Sequence, residues 1–211
     1  MLARAEPIYV WPVALGDPAP WEPLLDRDEH ERARRFRRAE DRAAYVACRG
    51  VLRALLGDFL SRDPASPRFS YGVHEKPALE DGACAFNVSR SDGLALIAIA
   101  ASGALGVDVE RVRGAVDVAA LAAEFLAPGD RATLAALPRH RQRRAFFRLW
   151  VRHEARVKAT GRGLVVPADE AAPGVWLHDL ELGPGYLAAL AADGVEERPV
   201  VLHPLATEAR P

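Results

Sequence analysis

Apolar positions along the chain follow two periodicities, which together predict a mixed α+β fold. Short apolar or alternating runs bounded by Gly, Pro, Asp and Ser are typical of strands. Between them lie stretches with apolar residues three and four apart, typical of amphipathic helices. The predicted strands are 8–13, 68–73, 84–88, 94–101, 105–110, 175–182, 186–191 and 200–203. The predicted helices are 28–61, 117–137 and 139–160.

The order of these elements repeats once. In each half, a strand is followed by helical sequence that includes one long amphipathic helix, and then by about three strands. We therefore predict two similar α+β halves, residues 1–104 and 105–211. Sequence identity between the two halves is too weak to demonstrate a duplication.

Composition excludes several classes of protein. The chain has 211 residues, 50% hydrophobic and 27% charged, and a net charge of −1, which argues against a general polyanion binder. Neither a long apolar segment nor a signal-peptide pattern is found, so we expect neither membrane insertion nor secretion. Cys48 and Cys84 have apolar neighbours and lack metal-ligand spacing. They predict reduced, packed thiols in a cytoplasmic protein.

Basic residues are almost all arginine, because only Lys76 and Lys158 are lysine. Arg42, Arg49 and Arg53 are spaced seven and four apart within the predicted helix 28–61. This spacing places the three guanidinium groups on one helix face, adjacent to the apolar stripe.

The first candidate for chemistry is the segment 106–110, Gly-Val-Asp-Val-Glu. On a strand, Asp108 and Glu110 point to the same face, where two carboxylates repel each other unless a cation lies between them. Mg²⁺ prefers such oxygen ligands. The alternative is a half-exposed edge strand whose acids are solvated beside Arg111 and Arg113.

The second candidate is the helical segment 150–158. Glu154 and Lys158 are four residues apart, in the order that favours an ion pair on a helix. An ordinary surface ion pair is the alternative. Phe146 and Trp150 lie along one stripe and are expected in the core.

The third candidate is the segment 86–91, Phe-Asn-Val-Ser-Arg-Ser, where a strand runs into a turn. Backbone amides, two hydroxyls and a guanidinium at such a turn form a plausible phosphate clamp. The alternative is an ordinary polar turn.

In combination, the three clusters resemble the 4′-phosphopantetheinyl transferases of the Sfp type. Each motif alone is weak, but their combination and order are specific. The resemblance spans about residues 28–191. The residues that carry it are Lys76-Pro77, FNVSRS at 86–91, GVDVE at 106–110, WVRHEA at 150–155, Lys158 and GRGL at 161–164.

This resemblance implies two α+β halves related by a pseudo-twofold axis, with coenzyme A, the co-substrate, bound between them. The implied reaction moves the phosphopantetheine arm of coenzyme A to a serine of an apo acyl or peptidyl carrier protein and releases 3′,5′-ADP. Asp108, Glu110 and Glu154 would hold Mg²⁺. Glu154, or a water that it orients, would take the serine proton. Lys158 would neutralise the pyrophosphate.

The resemblance also implies residues that bind the coenzyme. Lys76-Pro77, Ser89 and Arg90 would grip its nucleotide end. The candidates for its 3′-phosphate are arginines at the start of the chain: Arg32, Arg42, Arg49 and Arg53.

Two positions depart from the family pattern. Arg90 replaces a family histidine, and His153 replaces a family lysine. If both groups face the phosphates, the fixed charge and the titratable ring have exchanged places, and His153 joins the catalytic residues. The alternative is that the two substitutions are unrelated and that His153 is merely packed or solvent-facing.

Two other functions remain open. A relative that binds carrier proteins but has lost turnover would keep the same fold. A nucleic-acid-binding protein would use the arginine-rich stretch 27–53, but the interleaved acids and a pI of about 6.6 argue against it. Because one chain contains both halves, we expect a monomer. No motif identifies the pathway, whether fatty-acid, polyketide or nonribosomal peptide synthesis.

Overall fold

The computed structural model describes residues 6–72, 75–114, 116–161 and 174–206, and these form an α+β fold as predicted. Its strands are β1 Ile8–Ala14, β2 Phe69–Tyr71, β3 Pro77–Leu79, β4 Ala85–Ser91, β5 Leu94–Ala100, β6 Leu105–Arg111, β7 Val175–Leu180, β8 Tyr186–Asp193 and β9 Val200–Leu202. Its helices are α1 Arg27–Arg34, α2 Ala39–Leu60, α3 Val118–Phe125, α4 Pro128–Ala135 and α5 Arg139–Thr160. None of these helices has the length and apolarity needed to cross a membrane.

The strands form two main sheets and a small hairpin. One sheet has the order β4-β5-β1-β9, the other has the order β6-β8-β7, and β2 pairs with β3. Strand β9 pairs in parallel with β1, although it lies beyond residue 104 in the sequence. The division into halves at residue 104 and their twofold relation stay predictions.

Two of the predicted helices are each divided in the structure. The predicted helix 28–61 is α1 and α2, and its first part begins with a capping box in which Asp26 and Glu29 bond each other's backbone amides. Between α1 and α2, Phe36 packs against Tyr45, with ring centroids 5.3 Å apart. The predicted helix 117–137 is α3 and α4, divided at Pro128, which suits the first turn of a helix but not its interior.

The two long helices cover the sheets from outside. Helix α2 packs on the first sheet through residues such as Leu52 and Leu56, and α5 packs on the second through Phe146 and Val151. A further apolar cluster joins residues of both sheets, among them Leu96. The sheets therefore share a core, with β4 and β6 side by side where they meet.

Gly106 sets the distance between α5 and β6. A Cβ atom at this position would overlap the carbonyl oxygen of Ala155 and the backbone nitrogen of Ala159. Since glycine has no side chain, the helix backbone lies directly against the strand. This contact brings the acids of α5 close to those of β6.

Candidate active site

Strands β4 and β6 are joined by side chains, an arrangement that we call the seam. Oxygens of three alternating β4 residues accept hydrogen bonds from backbone amides of β6, as a neighbouring strand's carbonyls would. The pairs are Asn87 Oδ1 with Val107 N at 2.8 Å, Ser89 Oγ with Val109 N at 3.4 Å and Ser91 Oγ with Arg111 N at 3.2 Å.

The two serines of the seam also bond the carboxylates of β6. Ser89 donates to Oδ1 of Asp108 at 2.8 Å, and Ser91 donates to Oε2 of Glu110 at 2.8 Å. The predicted shared face of Asp108 and Glu110 is confirmed, since both acids line one cleft. Strand β6 does lie at the edge of its sheet, but the alternative of solvated acids is wrong for Asp108, which is buried, while Glu110 is half-buried.

Helix α5 places Glu154 and Lys158 on the same cleft. The ammonium of Lys158 lies 2.6 Å from Oδ1 of Asp108 and 3.1 Å from the hydroxyl of Ser89. Glu154 is buried, which excludes the alternative of a surface ion pair. Two carboxylate oxygens, Oε1 of Glu154 and Oδ2 of Asp108, are buried and have no hydrogen-bond partner among the residues that the structure describes.

Burial is the main reason why the pKa values of these acids are raised. The pKa of Glu154 is raised to about 7, by burial first and then by Asp108 and Glu110, while Lys158 acts in the opposite direction. Burial also raises the pKa of Asp108 and of Glu110, against the lowering effects of Lys158 and Ser91 respectively. A cation at this place would relieve the repulsion among the three carboxylates.

The cleft continues from these acids toward α1 and α2, and its two parts share Pro77 and Arg90. The part of about 580 Å³ around the carboxylates we call the acid end. The part of about 190 Å³ beside α2 we call the basic end. Side chains at the basic end include Arg32, Tyr45 and Arg49.

The basic end contains two buried donor atoms, Nη1 of Arg49 and the hydroxyl of Tyr45, for which the described part of the chain offers no hydrogen-bond partner. Arg49 is held by Glu29, 3.4 Å from its Nε, and its guanidinium lies over the Phe69 ring at 4.7 Å from the centroid. Arg32 pairs with Glu75 at 3.3 Å. The spacing of Tyr45, three residues before Cys48 and seven before Leu52, predicts a core residue on the apolar side of α2, so the sequence pattern gave no signal for its place in the site.

The predicted phosphate contacts of Arg53 and Arg42 do not agree with the structure. The side chain of Arg53 is fully buried and bonds Glu29 at 2.7 Å and Asp26 at 2.8 Å. Its remaining nitrogen donates to the carbonyls of Ala65 and Pro67. Arg53 is therefore structural. Arg42 lies outside the cleft and pairs with Glu22 at 3.6 Å.

Lys76 lines the acid end, but its ammonium is bound to protein. It donates to the carbonyl of Leu105 at 2.9 Å and to that of Lys158 at 2.6 Å. Burial lowers its pKa. These bonds tie the segment before β3 to the start of β6 and to the last turn of α5. The ammonium therefore connects these segments, instead of binding the nucleotide end of the coenzyme as predicted.

His153 does not line the cleft, which contradicts the prediction that it is catalytic. It is buried, 6.1 Å from the ring of Trp150, and burial and Arg156 lower its pKa. Arg90, in contrast, is exposed in the cleft. The two groups do not share one phosphate site, and the proposed exchange of charges is wrong. The alternative of a packed histidine agrees with the structure.

Comparison with known proteins identifies the family. The profile of the 4′-phosphopantetheinyl transferase superfamily matches residues 104–178, a segment that contains Asp108, Glu110, Glu154 and Lys158. The 4′-phosphopantetheinyl transferase HetI of Nostoc sp. is 32% identical, over 94% of this chain and 93% of its own. The chain belongs to the 4′-phosphopantetheinyl transferase superfamily.

Other members of the superfamily match shorter parts of the chain. The transferase Sfp of Bacillus subtilis strain 168 is 30% identical, over 69% of this chain and 64% of its own. The transferase AcpT of Salmonella typhi is 31% identical, over 63% of this chain and 67% of its own. Membership explains the order of motifs from Lys76 to Lys158, while residues 162–164 of the last motif lie outside the described residues.

Six of the nine arginines in the stretch 27–53 form ion pairs with acids of the described residues, Arg38 among them with Glu40 at 3.7 Å, whereas Arg34, Arg35 and Arg37 form none there. Arg27 pairs with Glu31 at 3.2 Å. Arg32, Arg42, Arg49 and Arg53 have the acidic partners given above. This pairing argues against a nucleic-acid-binding surface here, which would present unpaired cations to phosphates.

Proposed function

We propose that this chain transfers the 4′-phosphopantetheine arm of coenzyme A to a serine of an apo acyl or peptidyl carrier protein and releases 3′,5′-ADP. The observation that carries the proposal is the acid end, where Asp108, Glu110, Glu154 and Lys158 meet in one cleft. Membership of the transferase superfamily supports it.

The two ends of the cleft suit the two charged parts of coenzyme A. We place the pyrophosphate at the acid end, near Lys158 and Arg90. The 3′-phosphate then lies at the basic end, where Arg49 Nη1 and the Tyr45 hydroxyl form no hydrogen bond with the described residues. Charge-assisted hydrogen bonds from arginine suit a phosphate group. The donor set therefore favours a bound anion at this end.

The residues of the acid end fit Mg²⁺. Among the described residues, no three acids, histidines or cysteines are close enough to hold a metal ion as they stand. The unpartnered oxygens of Asp108 and Glu154, with Glu110 beside them, nevertheless form the oxygen donor set that Mg²⁺ prefers. These three residues would hold the ion. When bound, Mg²⁺ supplies positive charge that offsets the charge of the pyrophosphate.

In the transfer, the serine oxygen bonds to the phosphorus next to pantetheine, and the bond from that phosphorus to the bridging oxygen breaks. Glu154, directly or through one water, takes the serine proton. Without a bound cation the pKa of Glu154 is raised to about 7, chiefly by burial, and a bound Mg²⁺ would lower it and keep the carboxylate ionised, in the form that accepts a proton. Lys158 can turn from Asp108 to a phosphate oxygen and offset the charge on the departing 3′,5′-ADP.

We also propose that the enzyme acts as a cytoplasmic monomer. Strand β4, from the first part of the chain, and strand β6 and helix α5, from the second, all line the acid end. One chain thus contributes residues of both parts to the site. Cys48 and Cys84 are buried free thiols, which suits a reducing compartment.

The test is transfer of a fluorescent pantetheine arm. The protein is incubated with a fluorescent coenzyme A, Mg²⁺ and an apo carrier protein, and the carrier is analysed by gel and mass spectrometry. We expect a fluorescent carrier whose mass increases by one labelled phosphopantetheine. A carrier with its acceptor serine changed to alanine is the matched control and should stay unlabelled. Binding of the carrier without labelling would support the alternative of a relative that has lost turnover.

A further inference from the structure

Ser91 lies at the last position of the seam, directly behind Glu110. Its hydroxyl oxygen accepts a hydrogen bond from the backbone N–H of Arg111, with N and Oγ 3.2 Å apart. The same hydroxyl donates a hydrogen bond to Oε2 of Glu110 at 2.8 Å. A serine hydroxyl has one proton, and here that proton is directed to the carboxylate. The side chain is only 6% exposed, so water does not readily replace either bond.

The bond from Ser91 limits the freedom of a flexible acid. Glu110 is half-buried, and a glutamate side chain loses rotamer entropy when it is held in one orientation. With Oε2 bound to Ser91, Oε1 is left for a group in the cleft. The orientation is therefore established before any ligand arrives.

Ser89 makes the same pair of contacts two residues earlier, to Val109 and Asp108. Ser89 also accepts a bond from Lys158 and lines the cleft. Ser91 neither accepts a bond from Lys158 nor lines the cleft. Ser89 is therefore placed to contact the coenzyme, whereas Ser91 is placed only to support Glu110.

We propose that Ser91 is a positioning residue that orients Glu110 for a divalent cation in the acid end. This inference rests on the proposed function. Carboxylates that bind metals are generally hydrogen-bonded from behind, and removing such a partner weakens metal affinity by about 10- to 100-fold. Ser91 itself touches neither the cation nor the coenzyme.

Two isosteric variants isolate the hydroxyl. Ser91→Thr keeps the hydroxyl and adds a methyl group. Ser91→Val introduces a side chain with the shape of threonine but without the hydroxyl. Binding of Mn²⁺ in the presence of coenzyme A, without a carrier, is measured by the loss of the free-ion signal in electron paramagnetic resonance. We expect Ser91→Thr to bind like the wild type and Ser91→Val to bind about 10- to 100-fold more weakly.

Transfer kinetics give an independent readout. The Mg²⁺ concentration for half-maximal activity should rise in Ser91→Val, while kcat at saturating Mg²⁺ stays close to that of the wild type. General loss of structure would instead lower kcat. Ser70→Ala, which removes an exposed hydroxyl on the β2-β3 hairpin, is the matched control and should change neither quantity.

A double-mutant cycle links the effect to Glu110. In a Glu110→Ala background, the change Ser91→Val should cause no further loss of Mn²⁺ affinity, because the carboxylate that it orients is gone. Should Ser91→Val fail to fold, Ser91→Ala replaces it in the same measurements.

Equal Mn²⁺ affinity of the Thr and Val variants, or additive effects in the cycle, would overturn the role of Ser91. That failure differs from failure of the proposed function. In the first case the wild type still labels a carrier, and in the second it labels none.

Discussion

The ammonium of Lys158 lies 2.6 Å from Oδ1 of Asp108, while Oδ2 of the same carboxylate is buried and has no partner within residues 6–72, 75–114, 116–161 and 174–206. The lysine therefore neutralises one side of the acid, and the other side is left for a second cation. Since Lys158 is on α5 and Asp108 on β6, the pair also fixes the helix against the sheet.

This arrangement predicts that Asp108 is needed for transfer more than for folding. Asp108→Asn keeps the shape but removes the negative charge, and we expect kcat/KM to fall by about a hundredfold or more, since each 1.36 kcal/mol is a factor of ten. The far-UV spectrum should not change. The control is Asp92→Asn. Asp92 lies in the turn before β5 and pairs with Arg113, and its substitution should leave transfer unchanged. Undiminished transfer by Asp108→Asn, or wild-type activity unaffected by EDTA, would contradict the metal site.

Arg49 is predicted to recognise the 3′-phosphate of the coenzyme. Arg49→Gln should raise KM for coenzyme A by about 10- to 100-fold, because a charged hydrogen bond contributes about 1.5–3 kcal/mol. KM for 3′-dephospho-coenzyme A should change little. Arg42→Gln, on the same helix but outside the cleft, is the control and should affect neither substrate. Equal weakening of both substrates by Arg49→Gln would disprove the assignment.

Arg53 is predicted to stabilise the fold without taking part in catalysis. Arg53→Met leaves Glu29, itself 3% exposed, without its closest partner. Breaking a buried ion pair in this way costs about 3–5 kcal/mol, so urea unfolding should show a loss of that size. In conditions where the variant remains folded, its KM for coenzyme A should match that of the wild type. If Arg53→Met were as stable as the wild type but had a raised KM for coenzyme A, Arg53 would instead be a residue of the binding site.

Gly106 is predicted to be needed for the approach of α5 to β6. Gly106→Ala introduces a methyl group where the backbone of Ala155 and Ala159 already lies. Overpacking of this kind costs about 1–3 kcal/mol, and the helix must move away from the acids of β6, so both thermal stability and transfer should fall. Gly129→Ala, in α4, places its added methyl group in open space and serves as the control. Full activity of Gly106→Ala would show that the close contact is not needed.

Several features of the site could be predicted from short-range periodicity. A strand alternates its side chains between two faces, so Asp108 and Glu110 had to share a face. A helix brings residues four apart together, so Glu154 and Lys158 had to be neighbours. The order of the motifs was also sufficient to recognise the family. Each of these inferences depends only on the geometry of one element or on the linear sequence.

Only the tertiary structure decided what each element packs against. Arg49 and Arg53 lie four residues apart on α2, yet one has an unpartnered nitrogen in the cleft and the other is fully buried against α1. His153 and Glu154 are adjacent, but one faces the packed side of α5 and the other the cleft. Lys76 finds its acceptors 29 and 82 residues away. Periodicity determines the direction of a side chain from its own element, whereas its partner depends on long-range packing, which local spacing does not encode.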